Sequence, residues 1–134
     1  LTGAIPEPEL SDEERRQVTQ GIDQFNRGLF FECHDTLEDV WTGVRGPSRD
    51  FFQGLIQVAV GFYHLGNDNR GGASTMLRRG LSRLARYPDG YGGVDLGRLR
   101  REVKEWLDRV EAGDASLPQT LESLPKLVDA RAGS

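Results

Sequence analysis

The 134-residue sequence contains one cysteine, Cys33, and one methionine. A lone thiol cannot close an internal disulfide, so the fold must be held by packing rather than by covalent staples. Long apolar runs are missing too. The longest uncharged stretch, 51–67, is interrupted by Gln53, Gln57, His64 and Asn67, which excludes a run of about 18 apolar residues able to span a membrane. The opening LTGAIPEPEL lacks the basic-then-apolar order of a secretory signal. With a single thiol and no such signal, a reducing cytoplasm is the expected compartment. An overall basic excess is also lacking: the net charge is −4, which disfavours general nucleic-acid binding. No stretch alternates with period two, so no sheet is expected.

Apolar residues and charge are both present in the proportions of a packed protein. Hydrophobic residues make up 37% and charged residues 28%, a balance that favours a core within a charged shell over disorder. The length suits one domain over 1–134. Charge is unevenly placed, with 5 basic and 12 acidic side chains in 1–69 against 10 and 5 in 70–109. Such asymmetry marks a candidate anion-binding face, and a solvated helix face is the simpler account of it.

The apolar spacing predicts an antiparallel, all-α bundle of about five helices with a short C-terminal helix. Residues 1–10, with Pro6 and Pro8, read as an extended arm. Ser11 and Glu14 form a capping-box pattern opening a first helix over about 11–27. A second helix runs over about 29–42 and a third over about 49–66, with Ser48 as its cap. Gly71 and Gly72 precede a fourth, over about 72–86, and YPDGYGG (87–93) is a turn-rich loop. Asp95 caps a fifth, over about 96–112. In the tail, 113–134, Leu117, Leu121, Leu124 and Val128 suggest one short packed helix despite Pro118 and Pro125.

The second helix carries the polar anomaly. At 100° per residue, Phe30, Phe31, Cys33, Leu37, Val40 and Trp41 fill one arc, and Glu32, Asp35, Thr36 and Asp39 point outward. His34 and Glu38 fall inside the apolar arc, one turn apart, where their side chains can meet. A buried carboxylate needs a partner, and an imidazole beside it forms a titratable pair suited to acid–base or metal-ligand chemistry. Trp41 continues the same stripe with a ring N–H donor. On the third helix Gln53, Gln57 and His64 form a narrow uncharged polar stripe beside Gly54 and Gly61. Folding the chain about residue 45 or 46 sets Glu38 opposite Gln53 and His34 near Gln57. The expected result is a semi-buried pocket holding a small molecule, with His34 and Glu38 as catalytic or metal-ligating residues and Trp41, Gln53, Gln57 and His64 lining it. A divalent ion there would activate water for hydrolysis, although only His34 and Glu38 are firm ligands where a catalytic zinc usually takes three.

FNRGLFFECHDTLEDVW (25–41) followed by RDFFQGLIQVAVGFYHLGN (49–67) resembles domain-of-unknown-function family 309 of bacteria and archaea. Its His-x-x-x-Glu-x-x-Trp motif is matched by His34, Glu38 and Trp41. The resemblance covers roughly 15–85 and implies a small helical protein with a suspected metal-binding role, and no settled activity. Aspartate at position 35 stands where the family often has glutamate.

The competing reading is a non-catalytic interaction module. In it the His34–Glu38 pair is a structural polar network, and the arginines of helices four and five meet an anionic partner. Cys33, Phe51, Phe52, Phe62 and Tyr63 are expected in the core.

Overall fold

The computed structural model describes residues 4–114 and 124–130. Five α-helices follow in order: α1 (Asp12–Asn26), α2 (Phe30–Gly43), α3 (Arg49–Gly66), α4 (Arg70–Leu84) and α5 (Leu96–Glu111), with one 3₁₀ turn, Tyr91–Gly93, before α5. The fold is all-α. Among the described residues no strand forms, and Val94 and Asp129 make an isolated antiparallel bridge.

The helix starts follow local chemistry. Ser11 and Glu14 close a reciprocal capping box on α1, which satisfies two of the N–H groups a helix start leaves orphaned. Asp95 accepts from the Arg98 N–H at 3.1 Å and starts α5. Ser48 does not cap α3 as expected: it is buried, helical in conformation and makes no capping bond. Helix α4 begins two residues earlier than its glycines suggest. The Asn69 side chain accepts from the Gly72 N–H at 2.9 Å. Gly71 and Gly72 therefore lie in the first turn, where helix propensity matters least.

The helices pack in chain order, α1 on α2, α2 on α3, α3 on α4 and α4 on α5. Helix α3 is the spine, with eleven of its residues buried. Its contact with α4 is close because small residues line it. A Cβ on Gly80 would lie 2.7 Å from Val58 and 3.0 Å from the Gly54 carbonyl, and one on Gly54 would lie 2.8 Å from Leu84. The close approach expected beside Gly54 and Gly61 is thus made by α4.

One buried cluster joins the helices. Phe25, Phe30, Phe62 and Trp106 meet edge-on or tilted at one end, and Phe51, Phe52, Tyr87 and Tyr91 at the other. Each fully buried side chain of this size contributes about 1.5–3 kcal/mol. The N-terminal arm is held down by the Tyr91 hydroxyl, which donates to the Pro6 carbonyl at 2.6 Å, and by Glu7, which accepts from the Gly92 N–H at 2.8 Å. The tail expectation is corrected where it can be followed: 124–130 is not helical. The Asn26 side chain holds it by bonding both main-chain groups of Leu127. Leu117 and Leu121 lie outside the described residues.

Candidate functional site

Helices α2 and α3 run antiparallel, since Phe31 near the start of α2 meets Tyr63 near the end of α3, with ring centroids 5.4 Å apart. At the other end Arg49 reaches back over α2: its guanidinium lies 3.9 Å above the Trp41 ring. Its Nη1 donates to the Trp41 and Val44 carbonyls, each at 2.8 Å. That cation closes the end of a helix whose last carbonyls lack helical partners. Trp41 is therefore half-buried beneath an arginine.

His34 is about three-quarters covered and surrounded by oxygens. Its Nδ1 lies 3.3 Å from the Phe31 carbonyl and 3.3 Å from an Asp35 oxygen, and its Nε2 lies 3.4 Å from Glu38 Oε2. The predicted contact between His34 and Glu38 is present, but the predicted burial of Glu38 is not: its side chain is 51% exposed. The reason is angular. The fully buried residues of α2 are Cys33, Leu37 and Val40, so α3 covers one side of the apolar arc and leaves the other side, with His34, Glu38 and Phe31, at the rim. Asp35 faces outward as expected and still reaches the imidazole.

The expected glutamine wall belongs to another interface. Gln57 is buried, and its Oε1 accepts from Arg83 Nε of α4 at 3.1 Å. Arg83 continues to Asp50 at 2.7 Å, and Arg86 pairs with the same carboxylate. Gln53 is half-buried and outside the lining of the His34 pocket. Two things separate Gln57 from the His34 pocket: Gln57 lies toward the α4 side of α3, where Gly54 and Gly61 meet Leu84 and Leu77, and His34 shares its pocket with Val60 and His64, about one turn from the alignment that folding at residue 45 or 46 predicts. His64 does share the His34 pocket, a shallow space of about 130 Å³ lined also by Phe30, Phe31, Val60 and Tyr63. Its ring Nδ1 lies 3.4 Å from the Asn69 side-chain nitrogen.

The expectation of Tyr63 in the core is corrected, and Phe31, on the apolar arc of α2, is open to solvent as well. Phe31 is 49% exposed and Tyr63 40% exposed, the two large hydrophobic residues left open to solvent among those described. Phe31 sits at the far edge of its arc, next to Glu32 and opposite the buried centre, and that position was the available signal. Beyond the two rings lies a second depression of about 380 Å³, reaching Gly28, Phe62, Asn67 and Leu124.

Cys33 is fully buried, as expected, and burial pushes its thiol up to about 12. It is no nucleophile at neutral pH. Among the described residues no group of three or more His, Cys, Asp or Glu could hold a metal ion. His34 and Glu38 alone do not make a three-ligand centre of the catalytic zinc kind. No helix among the described residues is long and apolar enough to cross a membrane.

The geometry defines a small all-helical protein with an open aromatic groove edged by a histidine–carboxylate pair. Residues 18–76 match the family described as Domain of unknown function (DUF309), in agreement with the resemblance read from the sequence. The chain is similar to an uncharacterized protein of Aquifex aeolicus (strain VF5), 28% identical over 91 residues, which are 67% of this chain and 27% of that protein. It is also similar to the uncharacterized protein YpuF of Bacillus subtilis (strain 168), 29% identical over 89 residues, 64% of this chain and 51% of that one. The matches thus span about a quarter and about half of these curated relatives.

Proposed function

We propose that the protein is a binding module whose site is the α2–α3 groove. It takes an apolar or aromatic group over Phe31 and Tyr63 and orients it through His34 and Glu38. One observation carries the reading: the two large exposed hydrophobic side chains meet at a tilt with ring centroids 5.4 Å apart, and the His34 ring stands 5.5 Å from the Phe31 ring. Exposed aromatic pairs beside convergent polar groups are what recognition sites use, since rigid rings supply contact area with little entropy to lose.

The test is a protein-observed NMR titration with small aromatic and aliphatic fragments. Shifts gathering at Phe31, His34, Val60, Tyr63 and His64, and lost in Phe31→Ala with Tyr63→Ala, support the site. Shifts scattered over the surface, or gathering elsewhere, overturn it.

A second reading keeps the pair as a divalent-ion and hydrolytic site. Its supporting observation is the 3.4 Å between Nε2 and Oε2, a separation that two neighbouring ligands of one ion can span at bond lengths near 2.1 Å. Its weakness is the missing third donor. Titrating zinc and manganese into the protein and into His34→Ala separates the two readings. Heat of binding that depends on His34 supports an ion, and its absence leaves the groove reading.

A further inference from the structure

Among the described residues, most basic side chains of α4 and α5 have carboxylate partners, and α2 has acidic side chains with few. Arg78 pairs with Glu111, Arg83 and Arg86 with Asp50, and Arg100 with Asp89. Arg98 pairs with Glu102 and Lys104 with Asp108. The basic helices α4 and α5 are therefore largely answered by the chain's own carboxylates, which weakens the case for an anionic partner there.

Helix α2 is the opposite case. It contains no lysine or arginine, yet Glu32, Asp35, Glu38 and Asp39 are all exposed on it. The cations of the first half are committed elsewhere. Arg15, Arg16 and Arg27 pair within α1, and Arg45 and Arg49 donate to main-chain oxygens at the end of α2. Within α2 the His34 ring lies against two of these carboxylates, Asp35 and Glu38. The acidic strip lies directly beside the open aromatic groove.

We propose that the α2–α3 groove docks a basic amphipathic helix of a partner protein. Its apolar anchors seat on either side of the Phe31–Tyr63 pair, and its Lys or Arg side chains lie over the carboxylates of α2. The inference rests on the reading of this groove as a binding site and names the occupant. Charge complementarity selects the sign. Shape selects the helix: the two depressions share Phe30, Phe31 and Tyr63 and follow α3 from Gly66 to Val60, about 9 Å at 1.5 Å per residue. Anchors at i and i+7 of a partner helix stand about 10 Å apart, which suits helix-in-groove recognition. A second copy of this chain is a poorer occupant because most of the basic side chains on its own α4 and α5 are already paired. A nucleic acid would meet four carboxylates.

The probes are two synthetic helical peptides with one apolar face, leucine at i and i+7, and flanks of lysine in one and glutamate in the other. Binding to the full chain is read by fluorescence anisotropy and by NMR shifts. The lysine peptide is expected to bind about tenfold or more tightly at about 50 mM salt, with the gap narrowing at about 500 mM. It should shift Phe31 and Tyr63. The triple variant Glu32→Lys, Asp35→Lys, Glu38→Lys should invert the preference, and its circular dichroism reports whether it is folded. If that variant unfolds, the single change Asp39→Lys should still weaken the lysine peptide about twofold or more. Equal binding of both peptides, preference for glutamate, or no binding of either at about 1 mM overturns the proposal. So does a dimer in sedimentation that Tyr63→Ser dissolves, because a second copy would then be the occupant. If small fragments still shift His34 and Tyr63 when both peptides fail, the groove remains a site and only its partner is wrong. If the fragments fail too, both readings fall.

Discussion

The buried amide oxygen of Gln57 accepts a hydrogen bond from Arg83 Nε at 3.1 Å, so this glutamine of α3 serves the α4 interface and not the His34 pocket. The bond joins a chain through Arg83 to Asp50 and Arg86. Removing one end of such a network leaves the other end short of a partner in a partly dry place. Gln57→Ala should therefore lower unfolding free energy by about 1–3 kcal/mol, through the lost bond and the vacated volume. Gln53→Ala should cost less than half as much. Urea unfolding of both variants checks this, and equal effects would count against a structural role particular to Gln57.

Arg49 joins a cation–π contact with Trp41 to two carbonyl caps. Arg49→Ala should destabilise the protein by about 1–3 kcal/mol, and hydrogen exchange should quicken most at the end of α2. Arg49→Lys should recover only part of this, since an ammonium cannot lie flat on the indole and bond two carbonyls with the same fork.

Stability should fall in alkali, and the sign follows from burial. Desolvation raises the Cys33 thiol from 9.0 to about 12, and likewise the Tyr91 phenol from 10.0 to about 12. Between pH 9 and 12 the unfolded chain gives up these protons while the folded chain keeps them. The folded state therefore loses about 1.4 kcal/mol per pH unit for each group in its window. Denaturant midpoints measured from pH 8 to 11 should drop from about pH 9, and Cys33→Ala should move the onset of the drop toward pH 10. A flat profile through pH 10.5 in the unaltered protein would contradict the burial argument.

Tyr91 ties the N-terminal arm to the bundle through the Pro6 carbonyl. Tyr91→Phe keeps the ring and removes the tie. The expected outcome is faster proteolysis before residue 10, an unchanged helical circular dichroism spectrum, and a loss of about 1 kcal/mol. Protection of the arm equal to the parent would place the tether elsewhere.

Phe31 and Tyr63 meet at a tilt in the open, so their coupling can be measured without disturbing the core. A double-mutant cycle to alanine should give about 0.5–1.5 kcal/mol of interaction. A value near zero would mean that the rings do not hold this arrangement in solution.

Most of the helical architecture was legible without coordinates, because amphipathic periodicity and capping are local. Ser11 with Glu14, Asp95, and the leucine stripes of α4 and α5 state their elements within a few residues each. The inward side of α3 was legible as well: Gly54 and Gly61 announce a close neighbour, and α4 fills that place. The contact of His34 with Glu38 followed from one turn of helix and is present.

What escaped depends on how helices meet. A projection assigns each side chain an angle on its own axis but does not say which neighbour arrives at that angle, or in what register. The chain between α2 and α3 buries Val44 and turns through Gly46 at φ +81° before α3 starts at Arg49. That path shifts the pairing by about one turn. The shift brings His64 beside His34, while α4, packed on the Gly54–Gly61 side of α3, supplies Arg83 to Gln57, and Glu38, Phe31 and Tyr63 stay open at the rim. Local sequence determined which residues are helical and which faces are oily. Packing alone decided which polar groups were answered within the fold and which were left facing solvent, because a side chain's partner is set by the sum of all helix contacts and not by its neighbours in the chain.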